Sequence, residues 1–230
     1  MTMLDDEDLH TLQHEVQRLL GRCMLRLQQY ERLIKAMVAH HKVSGPLLDL
    51  ERARAAQIDA TAGKTLGTLV GDLIGSYVVA DRVNPPEETK ANPPENVNSF
   101  AMHMTLGLPE AEFVKVEGDL RKMVLLRNNL VHHFIDQHDL WSSDGCRAAQ
   151  GALIMAYDRI DHHFGQLREW AEDMDKIRHT MSEFLQSKEF EELFVNGIAP
   201  DGKVNWEASG IVSALQEAFG ALAVDGWAPV

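Results

Sequence analysis

From Glu7 to about His41 the apolar residues Leu12, Val16, Leu19, Leu20, Cys23, Leu27, Tyr30, Ile34, Met37 and Val38 recur at intervals of three and four. With about 3.6 residues per turn this spacing lays them along one stripe of a single long amphipathic helix. Such a stripe is stable only when it is packed against other elements. No strand–helix–strand alternation follows in the remaining sequence, so the expectation is an all-α fold: a bundle of about four long helices with a C-terminal helical extension.

Ser44-Gly45-Pro46 reads as the end of the first helix. A second helical region is expected over about Leu47 to Arg82, and within it Gly63, Gly67, Gly71 and Gly75 repeat every fourth residue, a side-chain-free stripe that suits close helix packing. Between Asn84 and Ser99 the repeated Asn-Pro-Pro-Glu forbids helix and reads as an exposed connector. Pro109-Glu110 reads as a first helical turn, with a third helix from Ala111 to about Leu140. A turn at Trp141–Gly145 precedes a fourth helical region from Arg147 to about Glu192, with a break near Thr180. Asn196 to Lys203 is turn chemistry, Val204 to Trp206 a short strand or lead-in, and Ala208 to Ala223 a last amphipathic helix. The domains so expected are a bundle over 1–195 and a linker with a helix over 196–230.

The 230 residues carry 22 Lys and Arg against 35 Asp and Glu, a formal charge of −13. That balance argues against wholesale coating of nucleic acid, although a local basic stripe can still hold a phosphate chain. Residues 181–230 alone are about −6, by eight acidic residues against Lys188 and Lys203, and so are not expected to touch nucleic acid. Cys23 and Cys146 have no metal-ligand or disulfide-framework spacing, the amino terminus is acidic where a secretory signal is basic, and no uncharged run reaches membrane-spanning length. The expectation is a cytoplasmic protein that does not enter a membrane. The apolar ending at Trp227 to Val230 suggests the front part of a longer protein.

The informative stretch runs from Leu120 to Ile135. On an ideal helix Leu120, Met123, Val124, Leu130, Val131, Phe134 and Ile135 share one face, and Arg127 falls in its middle. Asn128 and His132, four apart, flank that face and are placed to hydrogen-bond each other. A guanidinium, an amide and an imidazole around one groove suit phosphodiester chemistry on RNA. There the nucleophile is the substrate's own 2′-hydroxyl, a histidine moves protons and an arginine holds the phosphate, with no metal or other cofactor required. The alternative is that Arg127 pairs with an internal carboxylate such as Asp158 or Asp161.

Arg127-Asn128-x-x-x-His132, on the third long helix, resembles the R-x4–6-H motif of the HEPN superfamily, whose members are helical, commonly dimeric and often metal-independent endoribonucleases of toxin–antitoxin, phage-defence and RNA-processing systems. The chain also resembles the HEPN-like region beside OST-HTH (LOTUS) domains of bacterial proteins, and Gly226-Trp227-Ala228-Pro229 resembles the opening of such an RNA-binding domain. The resemblance implies that Arg127 and His132 are catalytic and that Asn128 is the polar second position. It further implies a homodimer whose two motif helices form one cleft, an RNA substrate and a neutralising protein partner. A catalytically inactive helical module that dimerises and presents an RNA-binding domain is the alternative function.

Arg18, Arg22 and Arg26, followed by Arg32 and Lys35, could form a basic rail for an RNA backbone, with His133 beside the motif as a further substrate contact. Glu15 and Glu31 beside the rail favour a solvated face instead. Asp158 with His162, and the pairs His40-His41 and His162-His163, are the sequence's nearest approach to a metal site, but the spacing of a di-iron bundle is missing and no metal is expected.

Overall fold

The computed structural model describes residues 3–46, 49–81, 99–198, 202–204, 210–212 and 214–216, and the protein is predominantly helical. Helix α1 covers Met3–His40 without interruption. Its stripe is the core seam: Val16, Leu19, Cys23, Leu27, Tyr30, Ile34, Met37 and Val38 are all buried. After strand β1 (Lys42–Pro46) come α2 (Leu50–Ala62), α3 (Leu66–Leu73) and β2 (Val78–Ala80), then β3 (Ser99–His103), β4 (Leu106–Leu108) and α4 (Glu110–Asn128). A π turn over Asn129–His133 leads into α5 (Phe134–Gln137), followed by α6 (Ser143–Leu185), α7 (Lys188–Phe190) and a second π turn over Glu191–Val195. The chain divides into two compact units, the first ending at Ala171 and the second starting at Glu172, so the division falls inside α6.

In the first unit α1 and α6 lie side by side and run in the same direction. Gln150 Nε2 donates to the Leu12 carbonyl at 3.2 Å, Cys23 Sγ to that of Leu153 at 3.4 Å, and Arg26 reaches Asp161 further along both helices. The buried face of this part of α6 is Cys146, Ala149, Leu153, Ala156, Ile160 and Leu167, again at intervals of three, four and seven.

The structure corrects the expectation of a single helical region over 47–82. Gly63 caps α2, Thr65 Oγ1 accepts from the Thr68 amide to start α3, and Gly75 turns the chain at φ 83° before β2. Ser44-Gly45-Pro46, read as a helix terminator, is a strand: β1 pairs antiparallel with β3, Lys42 opposite His103 and Pro46 opposite Ser99. Strand β2 pairs parallel with β4, Val78 opposite Leu106. The Asn-Pro-Pro-Glu connector lies outside the described residues up to Asn98, and Ser99 already belongs to β3. Helix α6 runs through Thr180 and breaks at Gln186-Ser187, where Ser187 Oγ caps α7. Gly197 and Gly202 both take positive φ, at 70° and 80°, in the expected turn, and Ile198 bridges Val204. Residues 210–212 and 214–216 are helical, and the rest of the Ala208–Ala223 expectation lies outside the described residues.

Two glycines make opposite predictions. A Cβ on Gly118, inside α4, meets nothing within 4 Å, so Gly118→Ala should raise stability by about 0.5–1 kcal/mol through helix propensity. A Cβ on Gly145, in the first turn of α6, would collide with the backbone carbonyl of Asp139. Gly145→Ala should therefore cost about 1–3 kcal/mol although it sits in a helix. Denaturant melts of the two proteins check this; stabilisation by both would show that the Asp139 loop yields freely.

Candidate active site on a widened helical turn

The motif residues sit where α4 gives way to the π turn. In an unbroken α-helix residues five apart point about 140° away from each other. The π turn is closed by backbone hydrogen bonds from i to i+5, a wider turn than that of an α-helix, and this narrows the angle. Arg127 and His132 consequently meet: Arg127 Nη1 lies 3.2 Å from His132 Nε2 and donates to Asn128 Oδ1 at 3.2 Å. The expected direct Asn128–His132 bond is replaced by this guanidinium bridge. A guanidinium only donates, so Nε2 is the acceptor, and a neutral ring then carries its proton on Nδ1.

Leu120, Met123, Leu130 and Phe134 bury the inner face of this segment as expected. Arg127 and Asn128 are half-buried at its rim, not in the core, and Val131 and Ile135 face outward, Ile135 at 76% exposure. Leu125, on the other flank, is 62% exposed. Neither carboxylate suggested as a core partner for Arg127 takes that role, since Asp161 belongs to Arg26. Among the described residues Arg127 makes no ion pair. Two of its five N–H groups are spent within the motif, which leaves three in a planar fork suited to a phosphate. His132 and His133 are both exposed, with ring centroids 6.2 Å apart, and His133 Nδ1 lies 4.0 Å from Asp136 Oδ2.

In the basic rail on α1, Arg18, Arg22, Arg26 and Lys35 have intramolecular partners. Arg18 Nη2 lies 2.6 Å from Glu15 Oε1, the Arg22 guanidinium stacks 4.5 Å over the Tyr157 ring, and Arg26 pairs with Asp161 while stacking 4.1 Å over Phe164. The Arg18–Glu15 hydrogen bond lowers the carboxyl pKa of Glu15 and raises that of Arg18. Lys35 lies 3.1 Å from Glu31. Arg18, Arg22 and Arg26 make no hydrogen bond to the Arg127 group among the described residues.

No group of three His, Cys, Asp or Glu able to hold a metal ion occurs among the described residues, and no helix among them is long and apolar enough to cross a membrane. Cys23 and Cys146 are buried and unpaired, and burial raises the Cys23 thiol to about 11. The chain matches no protein-family model, no curated protein and no solved structure.

Two histidines away from the motif are held below the ordinary imidazole range. Burial lowers His163 against the opposing pull of Asp119, and burial lowers His41, helped by the nearby His103 and Lys42 and opposed by its bond to the Val38 carbonyl. The unfolded chain takes up protons near pH 6.5 where these folded rings resist, so their contribution to stability is lost as pH falls through and below that value. Between about pH 7 and pH 5 the melting temperature should therefore fall, and His41→Gln or His163→Gln should flatten the slope. A melting temperature unchanged over this window in the parent protein would contradict the assignment.

Proposed function

We propose that this chain is an RNA-directed, HEPN-like protein acting as a metal-independent endoribonuclease through Arg127, Asn128 and His132. The observation that carries the reading is the π turn, which joins an arginine and a histidine five residues apart into one cluster and leaves the guanidinium without a carboxylate partner among the described residues. In the proposed reaction the 2′-hydroxyl of the substrate loses its proton and attacks the adjacent phosphorus. The bond to the 5′-oxygen breaks, and that oxygen takes up a proton. His132 serves as general base or acid, Arg127 stabilises the pentacovalent phosphate, and Asn128 orients the guanidinium. One imidazole supplies one of the two proton transfers. A homodimer with facing motifs supplies the second from the partner's His132, and the exposed flanking residues Leu125, Val131 and Ile135 provide an apolar surface for such a pairing.

The domain reading, a bundle over 1–195 followed by a linker and helix over 196–230, belongs to the same proposal. So do a cytoplasmic location, RNA contacts from Arg18, Arg22, Arg26 and His133, a neutralising protein and a place in toxin–antitoxin, phage-defence or RNA-processing systems. The second reading, a silent dimerising module that presents an RNA-binding domain, is favoured by the engagement of Arg18, Arg22 and Arg26 within the chain. Incubation of the purified protein with RNA in EDTA separates the two: cleavage leaving 2′,3′-cyclic phosphate and 5′-hydroxyl ends is expected, and strict dependence on added metal would contradict the mechanism.

A further inference from the structure

In α6, Leu153, Ile160, Leu167 and Met174 recur every seven residues, and all four are at most 4% exposed. Beyond Leu167 the stripe continues as Trp170, Met174, Ile177, Met181 and Phe184, with intervals that alternate strictly between three and four. Their mean of 3.5 residues is the repeat of a two-stranded coiled coil, shorter than the 3.6 of a straight helix, and it keeps one seam turned towards a partner helix. In the first unit that seam belongs to the buried core. In the second unit it is open: Met181 is half-buried, Ile177 is 50% exposed and Phe184 44%, although the Phe190 ring of α7 stands edge-on to Phe184 at 5.6 Å.

The charges beside the seam select its occupant. Asp173 directly precedes Met174 and Arg178 directly follows Ile177, so the two stand on opposite flanks of the stripe, five residues apart. When two copies lie parallel and in register, a residue on the first flank faces the partner's residue five positions further on, and Asp173 of each copy meets the partner's Arg178. Two-fold symmetry makes this contact twice. Antiparallel packing sets flanks of the same kind against each other and loses the match. Within one chain the two residues have surface partners, Asp173 with Lys176 at 2.8 Å and Arg178 with Asp175 at 3.8 Å. Exposed pairs of this kind contribute little to stability and give way readily.

We propose that a second copy of this chain docks on this stripe as a parallel, in-register coiled coil over the last part of α6. Ile177, Met181 and Phe184 form its layers, and Asp173 pairs with the partner's Arg178 along both edges. A second copy supplies both the matching apolar spacing and the matching charge by symmetry alone. Three layers make a small contact, so the two chains associate and separate at micromolar concentration. The pairing stands whether or not the Arg127 cluster cuts RNA.

Sedimentation velocity of the full chain tests this. The mass should rise from the 25.8 kDa of one chain towards twice that value between about 1 and 200 µM. Ile177→Asp should raise the dissociation constant at least about tenfold with the helical circular dichroism unchanged. Met155→Asp, at an exposed apolar residue of α6 that lies off the seam, should leave it within about twofold. Asp173→Arg and Arg178→Asp should each weaken pairing about threefold or more, and the double reversal should restore it. His132→Ala should pair as the parent does, which keeps this result apart from any loss of RNA cleavage. A single-chain mass at about 200 µM, undiminished pairing of Ile177→Asp, or a double reversal that pairs no better than the single ones would each overturn the assignment and leave the stripe to a different protein.

Discussion

His132→Ala should lower RNA cleavage by about 100- to 10,000-fold, the usual contribution of a positioned proton-transfer group. It should leave stability within about 0.5 kcal/mol, because the ring is exposed and, among the described residues, its only hydrogen-bonding contact is with Arg127. Arg127→Ala should cost at least as much rate and somewhat more stability, since Arg127 is half-buried and its hydrogen bond to Asn128 is lost with it. Arg127→Lys should not restore the rate: a point charge replaces the planar fork and the bridge to Asn128 and His132 is lost. Steady-state cleavage rates and denaturant midpoints on the same preparations separate these effects. Parent-like cleavage by His132→Ala would contradict the role given to His132, and absence of cleavage by the parent protein would favour the silent-module reading.

Leu153→Ala should be a strongly damaging truncation in the α1–α6 seam. The side chain is fully buried, and the Leu153 carbonyl accepts from Cys23 Sγ of α1 at 3.4 Å. Removing three carbons there leaves a cavity between rigid helices and should cost about 2–5 kcal/mol, a drop in melting temperature on the order of 10 °C. Leu25→Ala on α1 is the control, because Leu25 is 63% exposed and should change little. A loss below about 1 kcal/mol for Leu153→Ala would show that the seam relaxes around the gap.

The seam was legible because its order is local. The α1 stripe keeps a helical period from Leu12 to Val38, and its residues from Val16 onward are buried almost as the spacing requires, only Leu20 being half-exposed. The strands were not legible. β1 contains Ser44, Gly45 and Pro46, poor strand formers, and owes its conformation to β3, whose first residue is 53 positions beyond Pro46. A pairing at that separation leaves no periodic trace in either segment. The motif was legible as residue types and not as geometry: ideal helical angles place Arg127 in the core and His132 beside Asn128, whereas Arg127 stands half-buried at the rim near the end of α4, and the π turn that follows joins it to His132 and leaves Ile135 outside. The same limit applies to the glycine stripe, which reads as helix packing until Gly63 is seen to cap α2 and Gly75 to lie in the turn after α3.

The most direct test of the Arg127–Asn128–His132 account is cleavage, in EDTA, of a matched pair of RNAs that differ only at the nucleotide 5′ of the cut, one with its 2′-hydroxyl and one with 2′-deoxy. The account requires the nucleophile to come from the substrate, so the unmodified RNA should be cut to a 2′,3′-cyclic phosphate and the 2′-deoxy RNA should remain whole at that position. Equal cleavage of the two RNAs would contradict it, because water or a protein group would then be the nucleophile.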